Sequence, residues 1–294
     1  MDNKFREGIL YGLGAYGLWG VLPIYWKQIH HVPALEILAN RFIWSLFFVA
    51  LLILLLHKKE EFMQETKEVF STFRTGVIMI LAAIMITFNW GIFIWAVEDG
   101  RIMETSLGYY INPMMNVLLG LLVFKERLSK LQWIAVTFAC TGILVMVVRL
   151  GYLPWVSITV PLSFAIYAVL KKFLKVSPFT SIFLETLIIS PLALGYLYYR
   201  ASLGQNAYQS GDFLTIAYLI GAGAVTATPL LLFTACAKRL PLNVVGFLQY
   251  ISPTISMIIG IFMYGEVFTS THAITFGCIW LGILIFSWSQ VKRV

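Results

Sequence analysis

One arginine and a few carboxylates interrupt stretches of this sequence that are otherwise apolar, and they are where chemistry would happen. An ionisable side chain on a helix crossing lipid costs free energy unless it faces a water-filled cavity or a partner. Arg41 stands about seven residues into such a stretch, roughly 10 Å below the surface at 1.5 Å per residue. Its fixed, delocalised charge suits the carboxylate or other acidic group of a bound solute. Pairing with Glu36 or Glu104, or an outward snorkel, would satisfy it as well. Glu185 stands about as deep in another stretch, from the other side. Partial burial there would favour a protonatable carboxyl, so Glu185, with Glu104 as a shallower second, is a candidate for proton coupling. A buried glutamate that only bonds a neighbouring helix is the alternative.

A second polar set consists of Asn89, Trp90, Asn112, Asn116, Thr226, Thr228, Gln249 and Tyr250. Pro113, Pro229 and Pro253 break the backbone ladder beside them and free carbonyls at mid-depth, where transport proteins place sites. The aromatics Trp19, Tyr25, Trp44, Tyr109 and Phe247 could wall an amphipathic cavity. The competing expectation is that the prolines bend helices, the amides join them and the aromatics anchor at interfaces. No HExxH, GxSxG, aspartate-rich diphosphate or Walker-type motif is present, and Asp2, Asp99 and Asp212 all fall at or beyond helix ends. Cys140, Cys236 and Cys278 show no metal-ligand spacing and read as helix-packing residues. No cofactor or metal is expected, an intramembrane enzyme is disfavoured, and a channel is the nearer rival to a carrier.

The elements that must position these residues follow from composition. Of 294 residues 60% are hydrophobic and only 12% charged, which a soluble globule could not bury. Ten windows of the length needed to cross a bilayer run from Gly8 to Lys27, Ala34 to Leu56, Thr75 to Val97, Ile102 to Phe124 and Leu131 to Val148, then from Leu153 to Leu170, Pro178 to Tyr199, Phe213 to Ala237, Pro241 to Tyr264 and Thr271 to Ser289. The fold class is therefore an all-α integral membrane protein. The segment His57 to Arg74 reads as a surface helix or a solvated loop. The Lys and Arg fall in short clusters between apolar stretches, so the net charge of +7 reports topology and not nucleic-acid binding. With the N-terminus inside, sixteen stand in inner loops, Lys171 and Lys172 among them, and four outside, which predicts cytoplasmic termini in the plasma membrane.

A shift of 140 residues places Tyr110, Pro113, Gly120, Glu126 and Gly142 on Tyr250, Pro253, Gly260, Glu266 and Gly282. An odd number of helices per repeat turns the second half upside down. The chain thus divides into residues 1–149 and 150–294, two inverted five-helix repeats with a site between them. That plan suits a secondary transporter working by alternating access.

The motifs Ala15-Tyr16 with Trp19-Gly20, Glu36-Ile37-Leu38 with Arg41, Asn89-Trp90, Ser106 to Pro113, Glu185-Thr186, Phe233-Thr234-Ala235, Gln249-Tyr250-Ile251 and Tyr264-Gly265-Glu266 resemble the RarD-type branch of the EamA family in the drug/metabolite transporter superfamily. The resemblance spans nearly the whole chain; only Arg200 to Asp212 carries nothing recognisable. It implies ten helices, a central cavity formed mainly by the first four helices of each half, and gradient-coupled movement of a small organic solute, an amino acid-like metabolite or an amphipathic drug, most simply as export. Partners would be the solute, the bilayer and protons; monomer and homodimer both stay open.

Overall fold

Lipid offers the backbone no hydrogen-bond partners, so each crossing must satisfy its own N–H and C=O groups. The computed structural model describes residues 3–99, 101–151, 155–265 and 269–291, and every regular element among them is helical. In chain order these are α1 (Asn3–Lys27), α2 (Ala34–Leu55), α3 (Lys59–Ser71), α4 (Phe73–Glu98), α5 (Ile102–Val123), α6 (Lys130–Leu150), α7 (Trp155–Phe173) and α8 (Pro178–Ser202). A 3-10 turn (Ala207–Ser210) precedes α9 (Phe213–Arg239), α10 (Leu242–Gln249), α11 (Ile251–Tyr264) and α12 (Ser270–Val291). Eight stretches are long and apolar enough to cross a membrane, with α10 and α11 counted as one, and α5 and α12 contain shorter apolar runs. At 22 residues each, those two also reach about 33 Å. The chain is a multi-pass membrane protein.

Local sequence sets several ends. Ser129 and Gln132 form a reciprocal capping box at the start of α6, and Ser177 caps α8 ahead of Pro178. Gly151 and Gly265 close α6 and α11 in the left-handed conformation that a Cβ disfavours.

The two halves pack reciprocally. Helix α6 lies along its counterpart α12, and α1 on α9 mirrors α7 on α4. The register is the one read from the sequence. A Cβ on Gly142 would meet the Thr275 carbonyl at 2.8 Å, and one on Gly282 would meet the Ala135 carbonyl at 2.8 Å. These are the same contact seen from each repeat, because Ala135 and Thr275 stand 140 positions apart. Likewise the Tyr250 hydroxyl donates to the carbonyl of its own counterpart, Tyr110, at 3.3 Å.

Two expectations change. The ninth crossing is not one helix: it breaks at Tyr250, between α10 and α11, because Pro253 cannot donate to the Gln249 carbonyl. Pro113 at the matching place leaves α5 unbroken. Of the two forms open to the segment after α2, the structure has the helix, α3, which packs Phe62 edge-on against Phe183 and buries Val69. Of the cysteines, Cys140 is exposed on the outside of α6 and Cys236 is buried.

Candidate substrate site

Arg41 lies on α2 and points between helices of both halves. Its Nε donates to Thr226 Oγ1 of α9 at 2.9 Å, while the guanidinium carbon sits 4.1 Å from the Trp90 ring centre and 4.9 Å from that of Trp26. Among the described residues no carboxylate reaches it, and its two terminal nitrogens have no hydrogen-bond partner. The expected partner Glu36 is engaged elsewhere, by Arg200 at 3.5 Å and by the Ala207 amide at 2.6 Å. Among the described residues Arg41 is thus a partly exposed cation without a counter-charge inside a helix bundle, held by aromatic faces and one hydroxyl. The Tyr109 hydroxyl stands within its electrostatic reach, and the Tyr109 ring meets Phe93 edge-on at 5.5 Å.

From Tyr109 a polar row descends α5. Positions 109, 112 and 116 follow the i, i+3, i+7 spacing of one helical face. Asn112 and Asn116 are buried, each with a side-chain oxygen that has no partner, while the Asn116 amide donates to Gln249 Oε1 at 2.6 Å. Gly246 allows the crossing, since a Cβ there would meet the Pro113 carbonyl at 2.6 Å.

Below this row, by helical rise, α1, α7 and α9 bring Tyr16, Trp19, Phe164, Tyr167 and Phe233 into one aromatic cluster. Beyond it Glu185 forms an ion pair with Lys171, and it also accepts from Ser181 at 2.9 Å and Tyr167 at 2.9 Å. Lys171 is 0% exposed and Glu185 3%. Lys171, expected in a loop, therefore belongs to the interior. The available signal was the adjacent pair Lys171-Lys172: neighbours on a helix point about 100° apart, so both cannot face water equally.

The end of the bundle beyond that pair is tied shut by carboxylates on helix N-termini, where exposed amides and the helix dipole favour negative charge. Glu126 accepts from the amides of Leu242 and Asn243, at 2.7 and 3.0 Å. Glu65 of α3 accepts from the Ser177 amide at 2.6 Å and from Thr180 Oγ1. Lys172 adds a bond to the Leu240 carbonyl at 2.6 Å.

At the opposite end, the segment from Arg200 to Asp212 is a built strap and not a plain loop. Tyr208 accepts from Trp44 Nε1 at 2.8 Å and donates to Asn40, and the strap borders a recess of about 610 Å³ that His31, Glu36 and Asp212 also line. Hydrogen bonds from Thr215 hold the Asp212 carboxyl below its usual range, and burial pushes the Tyr208 phenol up. Polar residues of α2 positioned this strap, but nothing in its own sequence announces it.

The remaining singled-out residues are distributed by helix packing. Arg41, Trp90, Tyr109 and Thr226 come together, with Trp26 added, a residue the sequence did not single out. Asn112 and Gln249 join the α5 row. Trp19 belongs to the aromatic cluster, Tyr25 donates to the Tyr218 carbonyl at 2.6 Å, and Trp44 is tied to the strap. Asn89 joins α4 to α7 through the Val160 carbonyl at 2.6 Å. Phe247 stacks on Phe286 at 3.8 Å, and Tyr250 is 1% exposed. The side chain of Glu104 lies outside the described residues, as does Glu266.

The family profile of the EamA-like transporter family matches residues 6–148 and again 153–288. The chain belongs to the EamA-like transporter family. Among its relatives, the Bacillus subtilis (strain 168) protein named "Uncharacterized transporter YojE" is 43% identical, over 98% of this chain and 95% of that one. The Salmonella typhi "Protein RarD" is 39% identical over 97% and 96%. The Pseudomonas aeruginosa "Chloramphenicol-sensitive protein RarD" is 30% identical over 97% and 95%. A solved crystal structure superposes with a TM-score of 0.74 at 17% identity, covering 96% of this chain and 97% of that one; that likeness concerns the fold alone. The reciprocally packed helices are therefore those of an EamA-like family member.

Proposed function

We propose that this EamA-like protein is a secondary transporter that moves a small organic solute across the cytoplasmic membrane by alternating access. The carrying observation is that helices of both halves meet at Arg41, Thr226, Trp90 and Tyr109 while one end of the bundle is tied shut by Glu126 and Glu65. Residues 1–149 and 150–294 would move as the two units, rocking about that site. The aromatic cluster below the site would be the closed gate in this conformation. Glu185, freed from Lys171 by protonation, would couple the motion to a proton gradient in the direction of export, with Glu104 as the second candidate.

The test is flux into proteoliposomes, with a panel of amino acids, organic acids and amphipathic drugs, with and without an imposed pH gradient. Saturable uptake with counterflow is expected, and Arg41→Ala and Glu185→Gln proteins that insert normally should lose at least nine-tenths of it, about 1.4 kcal/mol of barrier or more. Wild-type flux from both would remove those roles, and flux without counterflow would indicate a channel.

The end that carries Lys171, Lys172 and Glu126 would face the cytoplasm, with both termini. In a variant lacking its native cysteines, a cysteine at Gly265 is expected to react with an impermeant thiol reagent added to intact cells, and one at Lys125 is expected not to. The reverse pattern would invert the orientation.

A further inference from the structure

We infer that the solute is an organic carboxylate with a flat apolar body, and that the Arg41 guanidinium is the group that selects it. This deepens the transport reading and rests on it. Lys171 is compensated by Glu185, and Lys172 and Lys238 by carbonyls at the end of the bundle. Among the described residues, Arg41 alone of these interior cations is held only by ring faces and one hydroxyl, with no carboxylate and no carbonyl. An uncompensated charge in low dielectric is costly, and a site that keeps one is completed by a ligand of opposite sign.

Geometry narrows the anion. Thr226 takes the Nε, so the unused donors are on the two terminal nitrogens, the planar pair that a carboxylate engages through both oxygens. The neighbours narrow the body. Trp90 and Trp26 lie against the guanidinium, Phe42 packs on Trp90 at 5.5 Å, and Phe93 meets Tyr109 at 5.5 Å. These are walls for a ring or another flat apolar group, with Tyr109, 46% exposed, offering a hydroxyl beside the charge. A neutral amide of the same shape would fill the walls and leave the guanidinium uncompensated.

The experiment compares benzoate and indole-3-acetate with benzamide and indole-3-acetamide on the full chain in lipid nanodiscs, read by tryptophan fluorescence, and in proteoliposomes, read by counterflow. Both acids are expected to bind saturably and about tenfold or more tighter than their amides, the loss that follows when a charged hydrogen-bond partner is removed. Arg41→Gln is expected to abolish the preference for acid, and Arg41→Lys to keep part of it. The comparison of acid with amide in the unmodified protein does not depend on any variant folding. Amides that bind as well as acids, an acid preference that survives Arg41→Gln, or no saturable binding by either class would each overturn the inference. The two readings fail separately: acids that bind through Arg41 without counterflow would keep the site and sink transport, whereas saturable amide flux without acid preference would keep transport and sink the carboxylate.

Discussion

Replacing Lys171 by methionine is expected to lower the stability of the folded protein by about 3–5 kcal/mol, while the double replacement Lys171→Met with Glu185→Met recovers most of that loss. The reason is the asymmetry of a buried ion pair. Lys171 is 0% exposed and Glu185 3%, and the carboxylate also receives hydrogen bonds from Ser181 and Tyr167. Removing the ammonium leaves a carboxylate with two neutral donors and no ion-pair partner in contact, only the more distant Lys238 within electrostatic reach, in a place where water cannot replace it. Removing both partners leaves apolar side chains of similar bulk, and costs only what the pair contributed in excess of its desolvation. Ser181 and Tyr167 lose an acceptor in the double variant, so recovery should fall short of complete. Thermal unfolding of the detergent-solubilised variants, compared at one detergent concentration, measures this. A single variant as stable as the unmodified protein would mean that the pair is loosely held or wet, and would also weaken the case for Glu185 as a coupling group.

The second large effect belongs to Gly223. It lies on α9 against the backbone of α2, where a Cβ would overlap the Trp44 carbonyl group and stand 2.6 Å from the Ser45 amide nitrogen. Ser45 Oγ donates to the Gly223 carbonyl at 3.0 Å across the same contact. Backbone cannot swing aside as a side chain does, so Gly223→Ala must push α2 from α9. Arg41 stands one turn before this contact on α2 and Thr226 one turn after Gly223 on α9, so the bond between them spans the contact, and that displacement would break it. The expected loss is about 3 kcal/mol, at or above the upper end for overpacking, accompanied by loss of ligand response at Arg41. Gly195→Ala is the control: it is a helical glycine whose added Cβ meets nothing, and it should be neutral or stabilising by roughly 0.5–1 kcal/mol. If both variants unfold at the same temperature, the α2–α9 contact is looser than described.

How much of this was legible beforehand differs by level. Membrane residence, helical class and the 140-residue repeat were readable because lipid enforces apolar runs of a minimum length, and because a repeat leaves prolines and glycines in register. Gly142 and Gly282 show the reach of that reading, for the same backbone contact occurs once from each half. Arg41, Trp90, Tyr109 and Thr226 were likewise visible as polar or aromatic exceptions in apolar segments.

What the tertiary structure decided is which exceptions meet. Tyr25, Trp44 and Asn89 have the same residue types as the site, yet their partners are a carbonyl, the strap and a neighbouring helix. Lys171 and Lys172 are adjacent in sequence, but one is sealed against Glu185 while the other reaches the Leu240 carbonyl. Hydropathy depends on composition within a window, so it determines that a segment crosses the membrane. Which face of that segment meets which helix depends on rotation and crossing point, and these are set by close contacts such as Gly223 on Trp44, between residues far apart in the chain.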